Sequence, residues 1–190
     1  MMGVIYIKNL EIIESQIRQM LASIVWTHKI QEKQSDIYKW WYNFWETIRI
    51  VAGAVTTSGI IAILFLDEYW IKVITAGISI ITLFIDSYLK VYDLKVLSNT
   101  HKSSALDLLK LREETISVLC DIKLNKYTEE TLIEKRDYIS QRQMEIYINM
   151  LDCSDKAVEK ASESLKEKGD STYSEEEIDS FLPILARKNK

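Results

Sequence analysis

The fold class expected is all-α, and three observations carry it. The 190 residues contain one proline and five glycines, so little interrupts helical hydrogen bonding. Apolar residues recur at steps of three and four over long stretches. No region of useful length shows the alternation of half-buried strands. The expected architecture is a two-span transmembrane helical hairpin whose long helices extend into a cytoplasmic helical bundle. Its parts are an N-terminal cytoplasmic helix (1–47), the hairpin (48–89, with spans 48–66 and 69–89), a cytoplasmic helix continuing the second span (90–124) and a C-terminal helical region (125–190).

The first helix is expected from residue 9, with Asn9 as N-cap and Glu11 in the first turn. Ile13, Ile17, Leu21, Ile24 and His28 form one seam along it. Ile48 to Leu66 is almost wholly apolar and spans ~28 Å as a helix, close to the thickness of a bilayer core. Arg49 lies in its first turn, where a long side chain snorkels to the interface. Asp67 and Glu68 break the apolar sequence, and a second run follows with Lys72 near its start. Aromatic residues flank the runs: Trp40, Trp41, Tyr42, Phe44 and Trp45 before the first, Tyr69 and Trp70 at the turn, Tyr88 and Tyr92 after the second. Residues 86 to 122 read as one amphipathic helix, with Leu94, Leu97, His101, Ala105 and Leu108 on a single face. Thr128 and Ser154 are expected to cap two further helices. Ser174-Glu-Glu-Glu177 is a capping-box pattern opening a last short helix, which Pro183 bends or ends.

Basic residues set the expected orientation. Lys29, Lys33, Lys39, Lys90, Lys95 and Lys102 flank the open end of the hairpin, while the turn is acidic. Positive-inside asymmetry places both termini in the cytoplasm. A net charge of −4 gives no sign of a nucleic-acid binder. Cys120 and Cys153, set in polar stretches read as helical, have no metal-type spacing and fit a reducing compartment. The first residues are too soon charged for a signal peptide. No phosphate loop, His/Cys metal set or nucleophile motif is visible, so neither enzymatic chemistry nor a cofactor is expected. A soluble bundle with two fully buried helices is the alternative to membrane insertion.

The candidate site lies inside the hairpin. At about 100° per residue, Glu46, Arg49, Gly53, Thr56 and Thr57 share one face of the first span. In the second, Lys72, Thr75, Ser79, Thr82 and Asp86 step by three, four, three and four, and fall within an arc of about 80°. Two readings of this polar stripe compete. In one it packs against the first span, with Arg49 paired to Asp86 at one end and Asp67 to Lys72 at the other, and with Gly53, Ala76, Gly77 and Ser79 permitting close approach. In the other, several copies assemble and the stripes line a water-filled path. Two spans enclose no useful channel alone, so the second reading requires a homo-oligomer in the bilayer. The histidines, His28 and His101, lie on the helical seams. Folding about residue 68 sets His28 beside position 108, some ten ångströms from His101, so structural roles are expected for both.

The order of motifs resembles the SLATT family, the SMODS and SLOG-associating two-transmembrane effectors. The resemblance rests on Trp26-x-His28, the aromatic and basic lead-in, the tight hairpin, His101-Lys-Ser-Ser-Ala105 and Leu108-Leu-Lys-Leu-Arg112. It continues through Thr128-x-Glu-x-Leu-Ile-Glu-Lys-Arg136-Asp137 and Glu176-Glu-Ile-Asp-Ser-Phe-Leu-Pro183-Ile-Leu185. Leu151-Asp-Cys-Ser154 departs from the proline-containing turn common in related sequences, although a helix break is still expected there. The resemblance implies an effector of bacterial anti-phage or conflict systems, active in antiviral defence by abortive infection. It would be triggered by a nucleotide second messenger or a separate nucleotide-sensing or nucleotide-synthesising partner, and would then disrupt the inner membrane. The rival reading is a two-pass anchor or scaffold that recruits a soluble partner through its cytoplasmic helices.

Overall fold

Helix α1 runs without interruption from Met2 to Phe65 in the computed structural model, which describes residues 2–66, 68–167, 169–170 and 174–181. At 1.5 Å per residue it is about 95 Å long, roughly three times the thickness of a bilayer core. The expected start at Asn9 is therefore corrected. Its amide is not a cap but donates to Glu129 Oε1 at 3.0 Å, on another helix. Nothing separates the extramembrane part of α1 from its apolar part, and Thr47 Oγ1 bonds back to the Asn43 carbonyl at 2.8 Å inside the ladder.

Helix α2 (Tyr69–Tyr92) returns along α1, and α3 (Leu94–Lys123) follows after a single residue. The expectation of one unbroken helix over 86–122 fails at Asp93, which adopts a left-handed conformation with φ 35° and ψ 56°. Aspartate tolerates this region better than most residues because its short side chain bonds locally. Here the carboxylate accepts from the Val96 N–H at 3.1 Å, capping α3, while the Asp93 N–H closes α2 on the Leu89 carbonyl at 3.2 Å. The chain thus kinks at the level of the aromatic residues that follow the second span.

Below this kink α1 and α3 pair antiparallel. Ser35 lies opposite Ser98, and His28 opposite Ala105. Helix α4 (Glu129–Asn149) runs parallel to α1 in constant register: Asn9 bonds Glu129, Gln16 bonds Arg136, and Ser23 bonds Gln143. That seven-residue repeat is the spacing at which two helices keep the same faces together. The core lies between these three helices and comprises Ile13, Ile17 and Ile24 of α1, Leu108, Leu111 and Val118 of α3, and Leu132 and Ile139 of α4. Thr128 caps α4 as expected, accepting from the Thr131 N–H at 3.3 Å.

The chain breaks at Leu151–Ser154 before α5 (Asp155–Lys166), so Cys153 sits in a connection rather than a helix. Ser154 occupies the N-cap position, yet its hydroxyl and N–H both donate to Gln34 Oε1, at 2.7 and 2.9 Å. Ala157 and Ala161 bury α5 against the bundle. The last helix, α6 (Glu175–Phe181), opens with the expected reciprocal box: the Ser174 N–H donates to Glu177 Oε2 at 2.9 Å, and the Glu177 N–H to Ser174 Oγ at 3.2 Å. The Asp67–Lys72 pair and the Pro183 bend lie outside the described residues.

Candidate functional site

The apolar part of α1 and helix α2 form a hairpin that presents its large side chains outward. Leu64 is 76% exposed, Phe65 82% and Phe84 71%. None of the most apolar stretch of α1 is buried, and only a small part of that of α2 is. A soluble core helix shows the opposite, so the alternative of two fully buried helices is set aside. Exposed aromatic clusters mark both ends of the hairpin. Trp40 stacks on Phe44 at 5.5 Å and Trp45 meets Tyr88 at 5.9 Å, while Tyr69 and Trp70 sit together by the turn. Amphipathic rings at two levels match the two faces of a bilayer.

Between the spans runs a narrow seam of small and polar residues. At one end Arg49 bonds Glu46 on its own helix and reaches Asp86 across the seam at 3.6 Å. Near the middle Gly59 faces Thr75, which is 8% exposed; a Cβ at Gly59 would overlap the Thr75 hydroxyl. These two contacts set the register and bring Thr56 level with Ser79 and Gly53 level with Thr82. Ser79 and Thr82 are half-buried, whereas Lys72 and Asp86 lie exposed toward the two ends.

Several expectations change here. Gly53 and Gly77 do not create the close approach, because a Cβ at either would meet nothing within 4 Å. Ala76 is exposed as well. Thr57 leaves the seam and faces outward. The residue that makes the approach, Gly59, escaped the sequence reading. The signal was present, since Gly59 follows Thr56 by one helical step of three and therefore continues its face.

The hydroxyls of the seam bond along their own helices. Ser79 donates to the Thr75 carbonyl and Thr82 to that of Ile78, and outside the seam Thr57 donates likewise to that of Gly53, each at 2.9 Å. This back-bonding is how serine and threonine are tolerated in lipid. Thr56 Oγ1 is the exception: it is buried and has no hydrogen-bond partner among the described residues. Packing, rather than hydrogen bonding between helices, holds the middle of the hairpin closed.

The two histidines stay apart. His28 Nδ1 donates to the Ala105 carbonyl at 2.8 Å, and Nε2 lies 4.0 Å from Glu32. The expected neighbour at 108 is displaced by about one helical turn, because the chain folds back nearer residue 66 and kinks at Asp93. His101 Nδ1 bonds Gln31 Oε1 at 2.6 Å, and the ring stacks on Tyr38 at 5.5 Å. Gln31 Nε2 donates to the Leu151 carbonyl, which leaves Oε1 to accept from His101 and assigns the proton to Nδ1. Burial holds both imidazoles below their ordinary pKa. Cys153 Sγ lies 3.9 Å from His101, but burial pushes its pKa up to about 11, so it stays a thiol. Both histidines tie the bundle together through hydrogen bonds. Among the described residues no group of three or more His, Cys, Asp or Glu is placed to hold a metal ion.

Searches of curated proteins and of solved structures each returned no significant match. A family model does match, over residues 13–177, covering the first helix, the hairpin, the bundle and the start of α6. With two lipid-length helices exposed and the family defined by two transmembrane segments, the protein is a membrane protein. The chain belongs to the SMODS and SLOG-associating 2TM effector domain family 4.

Proposed function

We propose that the protein is an inner-membrane effector of a bacterial defence system that assembles and conducts when triggered. Both termini lie in the cytoplasm, where Lys29, Lys33, Lys39, Lys90, Lys95 and Lys102 gather at the open end of the hairpin. The trigger is a nucleotide second messenger, sensed or made by a separate partner. The observation that carries this reading is the chemistry of the seam. Among the described residues the hydroxyls of Ser79 and Thr82 bond only their own helix, and Thr56 Oγ1 is buried without a partner. Opening the seam at Thr56, Ser79 and Thr82 therefore breaks no hydrogen bond between the spans, and water satisfies Thr56 once admitted. A trigger with greater affinity for the open assembly than for the closed one shifts the balance. Thr75, Ser79 and Thr82 then face water, and ions leak.

The anchor reading draws on a specific observation of its own, that the seam is closed and Thr75 buried within one chain. The test is induced expression in bacteria with a membrane-potential dye, with and without the neighbouring genes. The Ser79→Ala, Thr82→Val double variant removes both hydroxyls at nearly constant volume. Depolarisation by the wild type, with at least about a tenfold lower rate in the variant at equal membrane insertion, fits conduction through the seam. Equal depolarisation by both proteins, or none by the wild type under any of these conditions, contradicts it.

A further inference from the structure

We infer that the groove between α1 and α3 just outside the first span binds an anionic phosphate group, supplied by a phospholipid headgroup. Its floor is a reciprocal serine clasp. Ser35 Oγ donates to the Ser98 carbonyl and Ser98 Oγ to the Ser35 carbonyl, both at 2.9 Å, and both residues are buried. Two small side chains facing each other bring the backbones close and leave space above, a groove of about 290 Å³. Its rims carry long polar residues: Lys39 and Asn43 from α1, and Lys95, Asn99 and Lys102 from α3. Among the described residues these three lysines form no ion pair, in contrast with Lys29, Lys110, Lys123 and Lys126, each of which has a carboxylate within 4 Å. Lys95 lies instead over the Tyr42 ring, 5.9 Å from its centroid. One carboxylate, Asp36, also lines the groove and leaves the cations in excess.

Two further features point to a phosphate. The amides of Asn43 and Asn99 supply neutral donors beside the charges. Depth favours a lipid over a soluble ligand. Tyr42 and Asn43 stand about 8 Å along α1 from Ile48, within reach of the headgroup layer outside the hydrocarbon core. Exposed Trp40 and Trp41 lie on the same turn, so the groove opens beside rings that rest in that layer. Basic residues at this level attract anionic lipid by about fivefold each.

The test is native mass spectrometry of the full chain released from micelles containing equimolar phosphatidylglycerol and phosphatidylcholine. Phosphatidylglycerol should be retained in excess. The Lys39→Gln, Lys95→Gln, Lys102→Gln triple variant should lose that excess, by about fivefold per lysine, and the corresponding Lys→Arg triple variant should keep it. A variant with Lys110→Gln, Lys123→Gln and Lys126→Gln has the same change in charge away from the groove and should bind as the wild type does. Should the groove triple misfold, each single Lys→Gln variant is compared instead. Equal retention in groove and distal variants overturns the assignment. So does calorimetric binding of inorganic phosphate or glycerol 3-phosphate to the groove without any preference for phosphatidylglycerol, which would make the ligand a soluble one.

Discussion

The bundle and the hairpin share helix α1, yet they cohere for different reasons. In the bundle three helices enclose a core, and Ile17, Ile24 and Leu108 are fully buried there. Water supplies the driving force, because that apolar surface would otherwise be wet. In the hairpin most large apolar residues point outward, only Thr75 and Ile85 of α2 are buried, and the closest approach is Gly59 against Thr75, with polar contacts at the rim. Lipid solvates those outward residues as well as a protein core would, so only packing and a few polar groups hold the helices together. In the proposed mechanism the hairpin is the part whose partners change, and the bundle the part that stays intact.

Substitutions should separate the two regions, and the largest effect is expected in the bundle. Leu108→Ala empties a site with no exposure, and thermal unfolding in detergent should show a loss of about 2–5 kcal/mol in the bundle transition with membrane insertion unchanged. Gly59→Ala comes next. Its Cβ meets the Thr75 hydroxyl, so overpacking should loosen the hairpin by about 1–3 kcal/mol, read as faster protease or thiol-reagent access to α2. Gly53→Ala, with open space around it, should leave the same access unchanged. Asp86→Asn removes one partner of an exposed pair and should cost under about 1 kcal/mol.

The smallest effect is one of pH, and it belongs to the bundle alone. His28 and His101 have folded pKa values depressed by burial, so the unfolded chain binds protons more readily near the ordinary histidine value. Their contribution to stability is complete above about pH 6.5 and is lost as pH falls through their folded values. A melt of the bundle should shift down between pH 7 and 5, less so in a His28→Gln variant, while hairpin accessibility stays constant. An unchanged melt over this range would show that the two imidazoles are not linked to folding.

What was legible in the sequence divides along the same line. Spans of bilayer length, aromatic rings at two depths and the apolar faces of α1 and α3 are all periodic or compositional signals, and they were readable. So was the Arg49–Asp86 pairing, because an antiparallel hairpin leaves little choice of register. The parallel seating of α4 was not readable. Its hydrogen bonds to α1 run through Asn9, Gln16, Ser23 and Thr27, polar residues that apolar periodicity treats as solvent-facing. The Asp93 kink was hidden because aspartate within an amphipathic pattern normally marks an exposed position, and only the left-handed backbone reveals its double capping role. Gly59 was missed for a simpler reason. A glycine carries no side chain, so it adds nothing to the polar stripe that marks the face.

The central claim is that a seam closed at rest admits water when the effector is triggered. Cysteine accessibility tests it most directly. In a Cys120→Ser, Cys153→Ser background, Thr75→Cys and Ser79→Cys are treated in cells with a charged, membrane-impermeant thiosulfonate, with Leu83→Cys as the lipid-facing control. The account predicts protection at rest, labelling of positions 75 and 79 once the neighbouring genes trigger depolarisation, and no labelling at 83 in either state. Positions 75 and 79 remaining protected while the membrane depolarises would contradict it.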